Sequence, residues 1–223
     1  MKKLNMKNVE DRVDWRNVSP EHINHFRETA ENIFAPVYKV LAKQVIDDYG
    51  VTGGICIDIG SGTGGFGSEI AKISGLKVYA LDIKEEMIEI MKEKIEKEKL
   101  TARVIPKLGD VHNLPFDDNF ADLVVSRGSF HFWRDKRRAF LEIHRVLKIG
   151  GVGFIGGGFG RDKEVRKKAM RLHEETYRDV HEGRDFYENL KIKYMELKEI
   201  LKGAQDFNII FDESGLWVEI KKT

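Results

Sequence analysis

From Ile55 to Gly67 the chain reads Ile-Cys-Ile-Asp-Ile-Gly-Ser-Gly-Thr-Gly-Gly-Phe-Gly, and this stretch limits the possible folds more than any other. Ile55, Cys56, Ile57 and Ile59 form a short apolar run of the kind that makes a strand buried on both faces. The run breaks into glycines, and Ser68-Glu-Ile-Ala-Lys-Ile then supports a helix. Strand, loop and helix follow in that order. Gly60, Gly62 and Gly64 allow a tight turn and a close ligand approach, while N–H groups at the helix start favour an anion. A nucleotide-like ligand is the first expectation.

Two acids sharpen it. Asp58 sits within the strand end, where a buried carboxylate is costly unless a donor or cation meets it. Asp82 ends the next apolar run, Lys77-Val-Tyr-Ala-Leu-Asp, where an acid can take the hydroxyls of a ribose. Gly60-x-Gly62-x-x-Gly65 also satisfies the dinucleotide fingerprint, so an NAD-dependent oxidoreductase stays open on the glycines alone.

Composition narrows the partners. The 223 residues suit one α/β domain burying roughly 70% of its unfolded surface. Lys+Arg 38 against Asp+Glu 37 leaves a net charge of +1, which creates no field toward nucleic acid or an anionic membrane. Cys56 is the single cysteine and reads as a small buried hydrophobe. No apolar run reaches bilayer-spanning length and the first residues lack the core of a signal peptide, so a cytoplasmic protein is expected. His22 and His25 lack the partner set of a metal site, and none is predicted.

In chain order, residues 1–18 carry no clear period. Ser19-Pro20-Glu21 marks a helix start, and an apolar stripe from Ile23 to Val45 continues it, with Pro36 as a kink or break. Phe34 and Tyr38 belong to this stripe and read first as core. Met87, Ile88, Met91 and Ile95 line one face of a helix beginning near Glu85. A short strand ends at Gly109-Asp110, and Ala121 to Ser126 forms the fourth strand. In an open parallel sheet, Ser126 to Trp133 should border the reaction site. Asp135 to Leu147 is a helix in which His144 is structural, and a fifth strand follows Gly150-Gly151. Gly156 to Gly160 reads as a hinge. Arg161 to Gly183 is a charged helix with a narrow stripe at Val165, Ala169, Leu172, Thr176 and Val180. Its basic residues Lys163, Arg166, Lys167, Lys168 and Arg171 read as a solvated face. Leu190 to Leu201 is the last helix. Phe207 to Lys221 alternates around Asp212-Glu-Ser-Gly215, a hairpin signal that the dinucleotide fold usually lacks.

Taken together, these motifs resemble the class I S-adenosylmethionine-dependent methyltransferases, in the small-molecule branch typified by ubiquinone and menaquinone biosynthesis. Asp58 followed by Gly60, Gly62 and Gly64, then Asp82, matches the cofactor motif. Gly109-Asp110-Val111 before Leu114-Pro115-Phe116 and Arg145-Val-Leu-Lys-x-Gly-Gly151 match later ones. The likeness covers residues 51–160. It implies a Rossmann-like, seven-stranded, mostly parallel sheet of order 3-2-1-4-5-7-6 with a C-terminal antiparallel hairpin. One domain is expected, with an N-terminal helical cap at 1–50, the cofactor core at 51–160, a helical lid at 161–190 and a last helix and hairpin at 191–223; the resemblance itself does not specify the cap or the lid.

By the same resemblance, S-adenosyl-L-methionine is the cofactor. Asp82 would hold its ribose, Ile83 would pack on the adenine, and Asp110 and Val111 would read the adenine edge. Asp58, Ser61 and the Gly60 to Gly64 loop would take the methionyl end, with Met87 and Ser126 completing the set. The branch often shows Ser-Asn-x-x-x-His after the fourth strand; here Arg127 stands in place of the usual neutral residue. Arg127 would meet an anionic acceptor or pair with Asp122 or Asp135, and His131 is either a general base or a structural histidine. Asn-Pro-Pro-Tyr and Asp-Pro-Pro-Tyr are absent, which disfavours methylation of adenine or glutamine nitrogen. The expected function is methyl transfer to a small molecule; a non-catalytic cofactor-binding subunit is the alternative.

Overall fold

The computed structural model describes residues 18–177 and 186–223. The opening arm and Val180 therefore lie outside the described residues. Ser19 stands at the N-cap of α1 (Pro20–Thr29), with its hydroxyl 2.9 Å from Nδ1 of His22. A π turn, Ala30–Phe34, separates α1 from α2 (Ala35–Tyr49). Pro36 lies in the first turn of α2, where its missing N–H costs no helical bond, so the expected break falls just ahead of it. Gly50 ends α2 in the left-handed region at φ 66° and donates to the Ile46 carbonyl.

The chain then alternates: β1 (Gly53–Ile59), α3 (Gly65–Ile73), β2 (Gly75–Asp82), α4 (Glu85–Lys97), β3 (Val104–Leu108) and β4 (Ala121–Arg127). A 3₁₀ turn at Phe130–Phe132 leads to α5 (Lys136–Val146), which Asp135 caps by accepting from the Arg138 N–H at 2.9 Å. Next come β5 (Leu147–Gly158), α6 (Lys163–Tyr177), α7 (Phe186–Ile200), β6 (Phe207–Asp212) and β7 (Gly215–Lys221). The sheet runs β3-β2-β1-β4-β5-β7-β6, as the resemblance implied. The strands from β3 to β5 are parallel, and β7 is antiparallel to both β5 and β6.

Side chains alternate across the sheet and divide the core in two. Cys56, Val78, Ala80, Leu123, Val125, Phe154 and Trp217 face α2, α3, α4 and α6. Ile57, Ile59, Leu81, Val124, Ile155, Val218 and Ile220 face α5 and α7. Each fully buried aliphatic side chain contributes about 1.5–3 kcal/mol. Trp217 anchors the hairpin: it is fully buried, stacks on Phe154 at 4.3 Å, and donates from Nε1 to Ser214 Oγ at 3.2 Å. His144 ties α5 to the hairpin through Asp206 at 2.7 Å, a structural contact.

Two expectations change. Gly156 to Gly158 are the last residues of β5, paired with Gly215 to Trp217, so they form no hinge. A Cβ on Gly156 or Gly158 would stand 2.1 Å from the carbonyl oxygen of Leu216 or Ser214, so glycine here serves close backbone approach. Arg166 does not belong to a solvated face: it pairs with Glu213 and donates to the carbonyls of Gly160 and Arg161, its side chain only 11% exposed. Lys163, Lys167, Lys168 and Arg171 are exposed as expected. The apolar stripe of α6 fades after Leu172, since Thr176 is exposed and turns its hydroxyl back to the Leu172 carbonyl.

Candidate cofactor and acceptor site

Because β1 to β4 are parallel, their carboxyl ends lie on one edge, and the strand order reverses between β1 and β4. Ligand groups gather at such a switch point. The β1 loop has φ values of 63°, 57° and 76° at Gly60, Gly62 and Gly64, left-handed conformations that strain any other residue. At Gly60 a Cβ would fall 2.3 Å from Cβ of Ser129; at Gly62 it would meet the Phe26 ring at 2.6 Å. The loop is thus pressed from one side by the β4 loop and from the other by α1.

Asp58 lies beneath the loop at 1% exposure. Its Oδ2 accepts from Ser61 Oγ at 2.8 Å and from the Gly67 N–H at 2.9 Å. Burial pushes its ionisation up to about 7, against the pull of those two hydrogen bonds and with added repulsion from Asp82. Asp82, 9% exposed at the end of β2, is also raised by burial. Its Oδ2 accepts from the Gly62 N–H at 2.8 Å and its Oδ1 from the Lys84 N–H at 3.0 Å. Asp82 therefore fixes the glycine loop through the Gly62 N–H, and Asp58 through the Ser61 hydroxyl and the Gly67 N–H at the start of α3.

Around this pair, Met87 and Val111 are buried and Ile83 is half-buried. Asp110 caps its own turn, with Oδ1 accepting from the His112 N–H at 3.0 Å and from His112 Nδ1 at 2.6 Å. His112 Nε2 accepts from the Asp135 N–H at 3.2 Å, so Nδ1 carries the proton. Ser126 is fully buried with its Oγ 2.6 Å from Ser129 Oγ, and Ser129 donates to the Ile59 carbonyl at 3.2 Å. The ends of β4 and β1 are held together by this hydroxyl pair.

Arg127 and His131 stand on the other side of the β4 loop. The Arg127 guanidinium lies 3.7 Å from the Phe34 ring centroid, 5.6 Å from that of Phe159 and 5.9 Å from that of Tyr38. Its Nε donates to the Gly158 carbonyl at 3.2 Å. Asp122 is occupied elsewhere, accepting from Lys148 Nζ and the Ile55 N–H, and Asp135 caps α5. His131 packs on Phe130, and its Nδ1 lies 2.9 Å from Lys193 Nζ of α7. Burial first, and then Lys193, Lys136, Arg127 and His173, push its ionisation well below the ordinary histidine range.

Phe26, Lys84, Ser129 and Lys193 are members of the site that motif reasoning did not select. Ser129 and Lys84 each lie within three residues of a selected position. Phe26 and Lys193 come from helices with no motif.

Among the described residues, no group of three or more His, Cys, Asp or Glu side chains could hold a metal ion. No described helix is long and apolar enough to cross a membrane.

The reversal of strand order at β1, the glycine loop, the paired acids and the antiparallel β7 define a nucleotide-cofactor-binding protein of the methyltransferase topology. A family model for a methyltransferase domain matches residues 57–155. A candidate S-adenosyl-L-methionine-dependent methyltransferase from Methanococcus maripaludis, solved by crystallography, is similar over 95% of this chain and 97% of its own, with 37% identity and a TM-score of 0.86. The mitochondrial arginine-hydroxylase NDUFAF5 of Rattus norvegicus is 36% identical over 125 residues, which is 56% of this chain and 34% of that protein. The chloroplastic 2-methyl-6-phytyl-1,4-hydroquinone methyltransferase of Spinacia oleracea is 37% identical over 104 residues, 46% of this chain and 29% of that protein. The match thus spans about a third of the length of these curated relatives. The chain belongs to the class I S-adenosylmethionine-dependent methyltransferase family.

Proposed function

We propose that this protein transfers a methyl group from S-adenosyl-L-methionine to a nucleophilic atom of a small-molecule acceptor. The observation that carries this reading is the pair of buried carboxylates locked to the glycine loop, because that geometry presents fixed acceptors beside a backbone with no side chains in the way. The donor set fits the cofactor. Asp82 uses one lone pair on each oxygen for a backbone donor, leaving capacity for ribose hydroxyls. Ile83 and Val111 offer apolar faces for adenine, Asp110 an acceptor for its amino group, and Ser61 with the Gly60 to Gly64 loop the methionyl end. Met87 and Ser126, both buried, complete the proposed set. The spinach relative, named for a hydroquinone substrate, favours a small acceptor here as well.

When bound, the cofactor supplies an activated methyl on a sulfonium. The chain has to align the acceptor with that methyl and keep water out. Phe26 and Tyr38 lie against Gly62 and Gly65, Phe34 packs on Tyr38, and α6 packs on this side through Ala169 and through His173 against Phe34. This side, with residues 161–190, acts as the cap and lid of a single domain spanning 1–223. Calorimetry should show S-adenosyl-L-methionine and its demethylated product binding much more tightly than NAD. Tighter binding of NAD would overturn the reading and favour hydride transfer.

A further inference from the structure

The loop that follows β3 is fastened at several points. Gly109 donates its N–H to the Asp82 carbonyl at 2.9 Å, which seats Asp110 beside the end of β2. A Cβ on Gly109 would stand 2.7 Å from Leu81 Cδ1 and 3.2 Å from the Pro115 ring, so the loop folds back tightly. Helix α5 then grips it. The Leu114 N–H donates to Glu142 Oε2 at 2.8 Å, and Arg145 donates to the carbonyls of Leu114 and Phe116 at 3.1 and 2.9 Å. Nearer the start of the helix, Arg138 Nε donates to the His112 carbonyl at 2.7 Å, and the Asp135 N–H donates to His112 Nε2 at 3.2 Å. Asp135, Arg138, Glu142 and Arg145 recur at intervals of three and four, so one stripe of the helix holds residues 112, 114 and 116.

Within that clamp His112 engages with its side chain as well as its backbone, and it joins the helix to an acid of the proposed cofactor set. Its Nδ1–H donates to Asp110 Oδ1 at 2.6 Å, and its backbone N–H donates to the same oxygen at 3.0 Å. Asn113 closes the turn by donating to the Asp110 carbonyl at 3.0 Å. The backbone bond alone would make an ordinary Asx turn, in which the carboxylate keeps freedom about its last torsion. The ring adds a shorter, charge-assisted bond and is itself fixed at its far nitrogen by the Asp135 N–H. A carboxylate anchored in this way has its plane set before a ligand arrives, so that ordering it costs little on binding.

We propose that His112 is a positioning residue that fixes Asp110 against the adenine of the cofactor, and that through Asp110 it carries selectivity for adenine over hypoxanthine, the same ring with an oxo group in place of the amino group. The inference rests on the methyl-transfer reading, in which Asp110 accepts from the adenine amino group. That amino group presents a donor to the carboxylate, whereas the oxo group presents an acceptor and leaves the donor on the adjacent ring nitrogen. A carboxylate held in one orientation meets the first and repels the second; one that can turn follows the ring N–H instead. Loss of the imidazole therefore lowers discrimination between the two bases by about tenfold.

The test titrates the full chain with S-adenosylhomocysteine and, separately, with S-inosylhomocysteine by calorimetry, and reads the ratio of the two dissociation constants. His112→Ala removes both ring contacts, His112→Asn places an amide N–H where Nδ1–H stands, and His112→Gln places an amide oxygen near Nε2. In His112→Ala the ratio should fall about tenfold; in His112→Asn it should return to within about threefold of wild type, and in His112→Gln it should stay low. A residue that merely braced the loop would affect both nucleosides alike, so an unchanged ratio in His112→Ala would overturn the inference. Recovery in His112→Gln without recovery in His112→Asn would do the same. The wild-type ring resonances give an answer that needs no variant: the proton should sit on Nδ1, and S-adenosylhomocysteine should move that signal more than S-inosylhomocysteine does. A proton on Nε2, or equal shifts, would contradict the positioning role. Failure of wild type to bind S-adenosylhomocysteine more tightly than NAD would remove the methyl-transfer reading and the inference with it, whereas tight binding with an unchanged ratio removes the role of His112 alone.

Discussion

Replacing Asp58 by Asn tests the buried charge beneath the glycine loop with little change of shape. Both hydrogen bonds to this side chain, from Ser61 Oγ and from the Gly67 N–H, end on Oδ2. An amide oxygen in that place accepts both, so the substitution chiefly removes the titration. The carboxyl group has an ordinary value of 3.8, and burial raises it to about 7 in the folded protein. The unfolded chain therefore releases this proton near 3.8 while the folded chain keeps it until about 7. Within that window the folded state binds more protons, so stability falls as pH rises, the reverse of a salt-bridged aspartate. The slope is about 1.4 kcal/mol per pH unit, and the loss reaches about 4 kcal/mol by pH 7, after which it levels off. Urea unfolding at half-unit steps from pH 5 to 8 measures it. The stability of Asp58→Asn relative to wild type should rise by about 2 kcal/mol between pH 5 and 7 and then level off. Parallel curves for the two proteins across this range would refute the buried, raised carboxyl. Cofactor affinity offers a second readout, because a cationic ligand favours the ionised form: wild-type affinity should increase from pH 6 to 8, and that of the variant should not.

Other consequences follow from the same geometry. Gly60→Ala combines a φ of 63° with a Cβ placed 2.3 Å from that of Ser129, and should cost about 2 kcal/mol or more of stability; adding Ser129→Gly should recover part of it, which thermal unfolding can check. Asp82→Ala should weaken S-adenosyl-L-methionine by roughly 1.5–3 kcal/mol in calorimetry, and unchanged affinity would remove this acid from the cofactor site. His131 should show no titration between pH 6 and 8 in its ring resonances, because burial and the neighbouring cations hold it neutral there; a midpoint near 6.5 would contradict the environment described.

Legibility in the sequence followed the distance over which each feature is built. Asp58, its glycines and Asp82 lie within one strand-loop-helix-strand unit, where spacing alone sets the geometry, and they come together as the motif implied. The strand order also followed, as the family resemblance implied. Gly156 to Gly158 went differently. Three glycines in a row look flexible in isolation, and only the pairing of β5 with a strand some 60 residues later makes them close-approach positions. Arg166 likewise looks like one of five solvated cations until Glu213, from the hairpin turn, reaches it.

The acceptor side depends on still longer connections. Lys193 lies 62 residues beyond His131, and Phe34 precedes Arg127 by 93, so no local pattern could have joined them. Their convergence comes from packing: the π turn after α1 presents Phe34, the end of β5 supplies Phe159, and α7 carries Lys193 across the β4 loop. The tautomer of His131 illustrates what this adds. A histidine after the fourth strand suggests a base when judged by its ordinary ionisation, yet the ammonium on Nδ1 occupies the lone pair a base would need and fixes the proton on the opposite nitrogen. The same residue type at the same position thus changes from proton acceptor to hydrogen-bond donor through a contact made by a helix that carries no motif. For this chain, the glycine-loop side of the site is set by local spacing, and the surroundings of the β4 loop are set by side chains that separate helices bring to it.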